Sequence, residues 1–304
     1  MKVRDALREG ARILAENGRT GTETPSLDAS LLLARALGKT RDGVLASMPD
    51  EVGEVEAGLF FRLVAARGEG RPVAYLTGRK EFWGRDFLVS DAVLVPRPDT
   101  ELLVETALRL GTIVEGSRGA LYARNGGAVS RRRVVRFHDS CTGSGCVALS
   151  VAADRPGWKV SASDISPAAL EVARANARAL LPVGRPGGPV GLSLMNLFDG
   201  LDADSYDLLA ANPPYVGSAE ARELSGLWGE PLLALDGGKD GLEPYRALLP
   251  GARSALARGG WLLLEAGAEQ AAELRGLLGA AGFADVESLR DLAGLERVTV
   301  GRKP

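Results

Sequence analysis

The sequence predicts an α/β protein: a doubly wound, mostly parallel sheet, preceded by a small all-helical domain and a β-hairpin linker. Three observations predict it. From Val134 onward, apolar strand-like runs alternate with amphipathic helical ones, the pattern of a parallel sheet covered on both faces. The first of those strands runs into a glycine-rich loop that opens a helix, "DSCTGSGCVAL". Before about residue 75 the apolar residues recur at helical spacing, with no evident strand.

In chain order, Val3, Ala6, Leu7, Ala11 and Leu14 mark a first helix that stops near Asn17 and Gly18. Ser26 is the expected cap of "LDASLLLARALG", and Gly38 its C-terminal stop. Asp50 is expected to open a helix through "LFFRLVAAR". "EFWGRDFLVS" and "AVLVP" read as extended pieces around a turn. "PRPDTELLVETALRL" starts a helix, with Pro98 early and Glu101 and Glu105 near its positive end. The expected domains are 1–75 helical, 76–96 linker and 97–304 α/β, with a flexible insertion over about 115–133. Strands then fall at "RVVRFHD", "WKVSASD", "VGLSLMN", "YDLLAAN" and "WLLLEAG", with helices between them. Ser166 and Pro167 cap and start one of those helices. "FADVESL" and "ERVTVGR" are consecutive strands, which implies one antiparallel strand at the sheet edge.

Composition narrows the function classes. The 304 residues are 45% apolar and 25% charged with a formal net charge of −2, so no overall basic field invites nucleic acid. The N-terminal stretch has no continuous apolar segment of the secretory kind, and no run approaches the ~20 residues needed to span a bilayer. Cys141 and Cys146 are too few for a zinc cluster or a disulfide framework. The expectation is a cytoplasmic enzyme without a metal, a membrane or a direct nucleic-acid partner.

Gly143 and Gly145 sit where a strand becomes a helix, so the backbone can approach a ligand and the helix start offers free N–H groups. Asp164 ends the next strand, 19 residues after Gly145 (164 − 145). A carboxylate there can accept hydrogen bonds from a ribose diol. "GSGCVA" nearly satisfies a dinucleotide fingerprint, so the loop leaves nicotinamide and methyl-donor cofactors both open.

The fourth strand discriminates between them, because it ends in "NPPY", Asn212 to Tyr215. The prolines stiffen Asn212 and Pro213 in extended geometry. The Asn212 side-chain oxygen and the Pro213 carbonyl can then accept the two N–H bonds of a planar NH2 group, with Tyr215 packed on it. An activated methyl donor needs such acceptors, and a hydride carrier would leave them without a use. Asn-Pro is also a common turn opener, so the tetrapeptide alone does not decide.

Together these motifs resemble the class I S-adenosylmethionine-dependent methyltransferases, and more closely the HemK/PrmC family, which methylates the glutamine of the GGQ motif in peptide-chain release factors. "LDASLLLARALG", "RPVAYLTGRKEFWGRDFLV", "VLVPRPDTELLVE", "CTGSG", "SDISPAALEVARANA", "NLFDGL", "NPPYV", "EPLLALDGGKDGLEPYRALL" and "GGWLLLEAG" carry the resemblance over nearly the whole chain. It implies a Rossmann-like methyltransferase sheet with an antiparallel last strand and a helical substrate-recognition domain. The implied cofactor is S-adenosyl-L-methionine, leaving S-adenosyl-L-homocysteine, and the implied partner is a release factor. Cys141, Thr142, Gly143, Ser144 and Gly145 would form the donor loop, Asp164 would hold the ribose, and Leu197 and Phe198 would lie by the adenine. Asn212, Pro213, Pro214 and Tyr215 would hold the glutamine, Asn212 also reaching the donor. Cys141 stands where many members have glycine, and Asn196 where aspartate is frequent.

The alternatives are a glutamine methyltransferase acting on a ribosomal protein and an adenine methyltransferase, which shares "NPPY". His138 is read as structural, "DGGKDG" (236–241) as a turn near the substrate entrance, and the four tryptophans as packing residues.

Overall fold

A computed structural model describes residues 1–17, 23–124 and 134–304. They form two compact units: Met1–Arg79 with Val89–Asp91 and Glu223–Glu230, and the remainder.

In the first unit, α1 (Val3–Asn17), α2 (Pro25–Leu37), α3 (Arg41–Ala46), α4 (Glu54–Gly68) and α5 (Val73–Thr77) surround a core that includes Leu14, Leu32, Leu33, Val44, Phe60 and Val64. Full burial of each large apolar side chain contributes roughly 1.5–3 kcal/mol. Asp28 of α2 is buried and accepts from Arg67 Nε of α4 at 2.8 Å, a pair whose disruption would leave a charge enclosed. Gly38 ends α2 in the left-handed region, as expected. Ser26 lies inside α2 rather than capping it, because the helix already starts at Pro25. Likewise Asp50 precedes α4 by several residues, and Gly53 is its N-cap.

In the stretch expected to be extended, α5 comes first, and then β1 (Arg79–Phe82) and β2 (Arg85–Leu88) make a two-stranded hairpin. Trp83 and Gly84 both have positive φ, which suits the right-handed twist of a two-residue hairpin turn. "AVLVP" is not a strand. A short 3-10 turn, Pro98–Thr100, leads into α6 (Glu101–Arg124). This helix continues past 115, where the insertion was expected to begin, since extending an existing helix costs far less than nucleating one. Residues 125–133 of that expected insertion lie outside the described residues.

The elements that follow are β3 (Arg136–Ser140), α7 (Cys146–Asp154), β4 (Lys159–Asp164), α8 (Pro167–Leu180), β5 (Gly191–Leu194), β6 (Tyr206–Ala211), α9 (Ser218–Trp228), α10 (Glu243–Ala255), β7 (Leu256–Glu265), α11 (Ala271–Ala280), β8 (Ala284–Arg290) and β9 (Glu296–Arg302). The strand order is β5-β4-β3-β6-β7-β9-β8. All pairings are parallel except those of β9, so the last strand is antiparallel as expected. It lies between β7 and β8 rather than at the edge. Alternate residues serve opposite faces: Leu208, Ala210 and Leu263 pack into one core, while Leu209, Leu262 and Leu264 pack into another.

Chain direction across the sheet reverses between β3 and β6, the switch point where open α/β sheets bind ligands. Ser140 pairs with Ala211 and with Ser163. The residues immediately after these positions, Cys141, Asn212 and Asp164, therefore emerge side by side from three neighbouring strands.

Candidate functional site

A cavity of about 390 Å³ lies at those strand ends, within the usual size range of small-molecule sites. Cys141, Thr142, Gly143, Ser144, Asp164, Leu197, Asn212 and Pro214 line it. Gly145, Phe198, Pro213 and Tyr215 do not.

The glycine loop turns tightly at the cavity, with Gly145 N–H donating to Thr142 O at 2.8 Å. Gly145 is the N-cap of α7 with φ 82°, and a Cβ there would come 2.9 Å from Leu149 Cδ1. The loop is anchored from behind: Thr142 N–H donates to Ser163 O at 3.0 Å, and the fully buried Asn176 donates to Ser144 O at 2.9 Å. Cys141 adopts φ 57°, a region that favours glycine. Burial pushes its thiol up to about 12, so it is no reactive thiolate at neutral pH.

Asp164 Oδ2 accepts from Gly143 N–H and Oδ1 from Ser166 N–H, both at 2.9 Å. Burial raises its pKa, and these amides act the other way. Each oxygen keeps lone-pair capacity for a further donor. Ser166 also caps α8, accepting from Ala169 N–H at 3.2 Å.

The sequence alone did not single out Asp139, although it ends the strand just before the loop. It is buried, lines the cavity, and accepts from Thr142 Oγ1 at 2.6 Å and Ala148 N–H at 3.3 Å. Burial lifts its carboxyl to about 7, against the pull of those two donors.

On the side of β5, Leu197 has φ 50°, and its carbonyl accepts from Ser140 Oγ at 2.9 Å. Phe198 is buried in the core, its ring 6.1 Å from that of His138. His138 lies within the sheet between Ser161 Oγ and Ser163 Oγ, each 2.9 Å away, and burial lowers its pKa to about 4. That placement accords with a structural histidine.

At the end of β6, Asn212 is half-buried and its Nδ2 donates to Thr100 Oγ1 at 3.3 Å. Thr100 Oγ1 donates in turn to Glu265 Oε1 at 3.0 Å. The Tyr215 carbonyl accepts from Gln270 Nε2 at 3.0 Å, and Val216 N–H donates to Leu235 O at 3.0 Å. The "DGGKDG" segment packs directly against this backbone. Gly237 N–H donates to Val216 O at 2.8 Å, and a Cβ on Gly241 (φ 72°) would overlap the Tyr215 carbonyl. The tetrapeptide is thus clamped from outside its own strand.

Among the described residues no group of three His, Cys, Asp or Glu side chains is placed to hold a metal. None of their helices is long and apolar enough to cross a membrane.

Comparisons with known proteins agree with this construction. Residues 5–78 match the family described as PrmC N-terminal domain, and residues 128–225 the methyltransferase small domain. The release factor glutamine methyltransferase of Burkholderia pseudomallei is 41% identical over 281 residues, 92% of each chain. That of Moorella thermoacetica is 40% identical over 299 residues, covering 98% of this chain and 97% of its own. Among solved structures, the hMettl16 catalytic domain aligns with a TM-score of 0.53 at 15% identity, over 85% of this chain and 84% of that one. This last likeness concerns the fold alone. With identity of this order over more than nine tenths of each chain, the chain belongs to the release factor glutamine methyltransferase family.

Proposed function

We propose that the protein transfers a methyl group from S-adenosylmethionine to the side-chain amide nitrogen of the GGQ glutamine in peptide-chain release factors. The observation that carries this reading is the register of the sheet, which sets Asn212 beside the glycine loop at the switch point.

The residues present fit the donor. Gly143 brings no side chain to the cavity it lines, and Asp164 has acceptor capacity left for a diol. When bound, S-adenosylmethionine supplies an electrophilic methyl carbon on a sulfonium whose departure leaves a neutral thioether. Cys141 to Gly145 would cradle it, Asp164 would fix its ribose, Asp139 would face its cationic end, and Leu197 would flank the adenine. Phe198 would support that wall from the core.

An amide nitrogen is a poor nucleophile, because its lone pair is delocalised into the carbonyl. Asn212 Oδ1 and the Pro213 carbonyl would accept its two N–H bonds, with Pro214 and Tyr215 completing the seat. Held acceptors orient the nitrogen and favour positive charge growing on it during C–N bond formation. One N–H proton passes to water as the methylamide forms, so the step balances without an oxidant. The helical residues 1–75 would serve recognition of the protein substrate.

The test offers the protein tritiated donor with three acceptors in parallel: a release factor, ribosomal protein and adenine-containing DNA. Label in the release factor is the expected result. Label in either of the others, with none in the release factor, would overturn the assignment.

A further inference from the structure

Glu265 is an ionisable side chain that the reaction described above does not use. It ends β7, is 2% exposed, and does not line the cavity. A carboxyl in such a place costs free energy unless it is hydrogen-bonded or paired. Its Oε1 accepts from Thr100 Oγ1 at 3.0 Å, and its Oε2 is buried without a hydrogen-bond partner. Thr100 does line the cavity, and its hydroxyl lies 3.3 Å from Asn212 Nδ2.

Directionality follows from counting hydrogens. A threonine hydroxyl has one proton, and a carboxylate oxygen can only accept. With that proton given to Glu265, only a lone pair is left for Asn212, so the amide must turn its NH2 towards Thr100. Its oxygen is thereby directed away from Thr100 and left for the substrate. In the neutral acid the same direction holds with the proton on Oε2, whereas a proton on Oε1 would be donated to Thr100 and reverse the chain, so the orientation belongs to the carboxylate and to the Oε2 acid. The other way round, with Asn212 Oδ1 towards Thr100, two acceptors would face each other. A side-chain amide is nearly symmetric in shape, so packing alone chooses poorly between its two orientations.

We infer that Thr100 and Glu265 are positioning residues that fix the orientation of the Asn212 amide, so that its oxygen is the atom presented to the substrate NH2 group. This inference rests on the methyl-acceptor role proposed for Asn212. It identifies what would make that side chain a one-way acceptor rather than a group that flips between donor and acceptor. Burial pushes the Glu265 carboxyl up to about 8, which marks the desolvation cost of keeping it there.

A double-mutant cycle on the full chain tests this, with single-turnover methyl transfer at saturating donor and release factor and with the donor Kd measured separately. Thr100→Val keeps the shape but removes the hydroxyl. It is expected to slow transfer about three- to tenfold, an effect the size of one lost hydrogen bond, while the donor Kd stays unchanged. Thr100→Ser restores the hydroxyl and is expected to recover most of the rate. In an Asn212→Ala background, Thr100→Val is expected to cost nothing further, because the group it orients is gone. Glu265→Gln, which retains an acceptor oxygen, is the second probe should Thr100→Val fold poorly, and its rate is expected to exceed that of Glu265→Leu. A full Thr100→Val penalty persisting in the Asn212→Ala background would overturn the inference, as would a wild-type rate for Thr100→Val or equal rates for Glu265→Gln and Glu265→Leu. A wild-type rate for Asn212→Ala alone would instead overturn the reading on which the inference rests.

Discussion

The two sides of the cavity are made in different ways. On the side of β3 and β4, the site is backbone: a loop with positive φ at Cys141, Gly143 and Gly145, and a carboxylate held by the amides of Gly143 and Ser166. On the side of β6 and β7, it is a chain of side chains, Asn212 to Thr100 to Glu265, with the backbone of Tyr215 and Val216 held by Gln270, Leu235 and Gly237. The first construction suits a ligand whose charges and hydroxyls do not change during reaction. The second suits a group whose charge does change, because fixed side-chain acceptors need not reorganise as charge develops. In the proposed reading the difference divides the work: the loop side would set donor affinity, and the Asn212 side would set rate.

The largest expected effect lies on the second side. Asn212→Ala should slow single-turnover transfer by ~10²–10³ while leaving much of the donor affinity. Asn212→Asp sharpens the point, because it keeps an oxygen but loses the NH2 that donates to Thr100. If the acceptor alone mattered, Asp would partly rescue Ala; since the Thr100 contact fixes the geometry, both variants should fail in the same assay.

On the first side, Asp164→Ala should weaken donor binding about tenfold or more, one or two hydrogen bonds at ~0.5–1.5 kcal/mol each. The transfer rate at saturating donor should change far less. Calorimetry for the Kd and quenched-flow for the rate check the two halves. A rate loss without an affinity loss would erase the distinction between the two sides.

A smaller effect concerns pH and stability. The folded-state pKa of Glu265 is raised to about 8 by burial, with Asp99 adding to the shift and Thr100, Arg297 and Asn212 opposing it. A raised folded pKa contributes stability that is fully present below the ordinary carboxyl range and lost as pH rises towards the folded value. Relative to Glu265→Gln, the wild-type unfolding free energy should therefore fall between pH 5 and pH 8, by at most about 1.4 kcal/mol per pH unit, and its Tm should fall with it. Asp139, raised to about 7, is present in both proteins and cancels. Parallel Tm profiles would mean that Glu265 does not carry this burden.

The smallest effect is at Cys141. Its φ of 57° suits glycine, so Cys141→Gly should relieve roughly 1 kcal/mol of backbone strain, part of which the greater freedom of unfolded glycine takes back. A slightly raised Tm with an unchanged donor Kd is the expected outcome. A drop of several degrees would show that the thiol packs usefully.

The same contrast governs what the sequence could reveal. The loop, Asp164 and the Ser166 cap are neighbours in the chain or lie one strand apart, so spacing exposes them. Thr100 reaches Asn212 across 112 residues and Glu265 across 165, and no periodicity links such positions. The alternation of strands and helices was legible because central strands such as β6 and β7 bury continuous apolar runs, residues 208–211 and 262–264. The place of β9 inside the sheet was not, since adjacency in the chain suggests a hairpin at the edge and says nothing of which member faces β7. Phe198 and Leu197 look equivalent in "NLFDGL", yet the positive φ of Leu197 sends only one of them to the cavity. Asp139 carries no motif of its own in the sequence, and its contacts with Thr142 and Ala148 appear only in the fold.

One measurement bears most directly on the account as a whole. Wild-type protein and Asn212→Ala are each incubated with donor and an intact release factor, and the peptide containing GGQ is sequenced by tandem mass spectrometry. The account predicts one added methyl group on the glutamine side chain with wild type and almost none with the variant in the same time. A methyl group elsewhere in the release factor, or equal modification by both proteins, would contradict it.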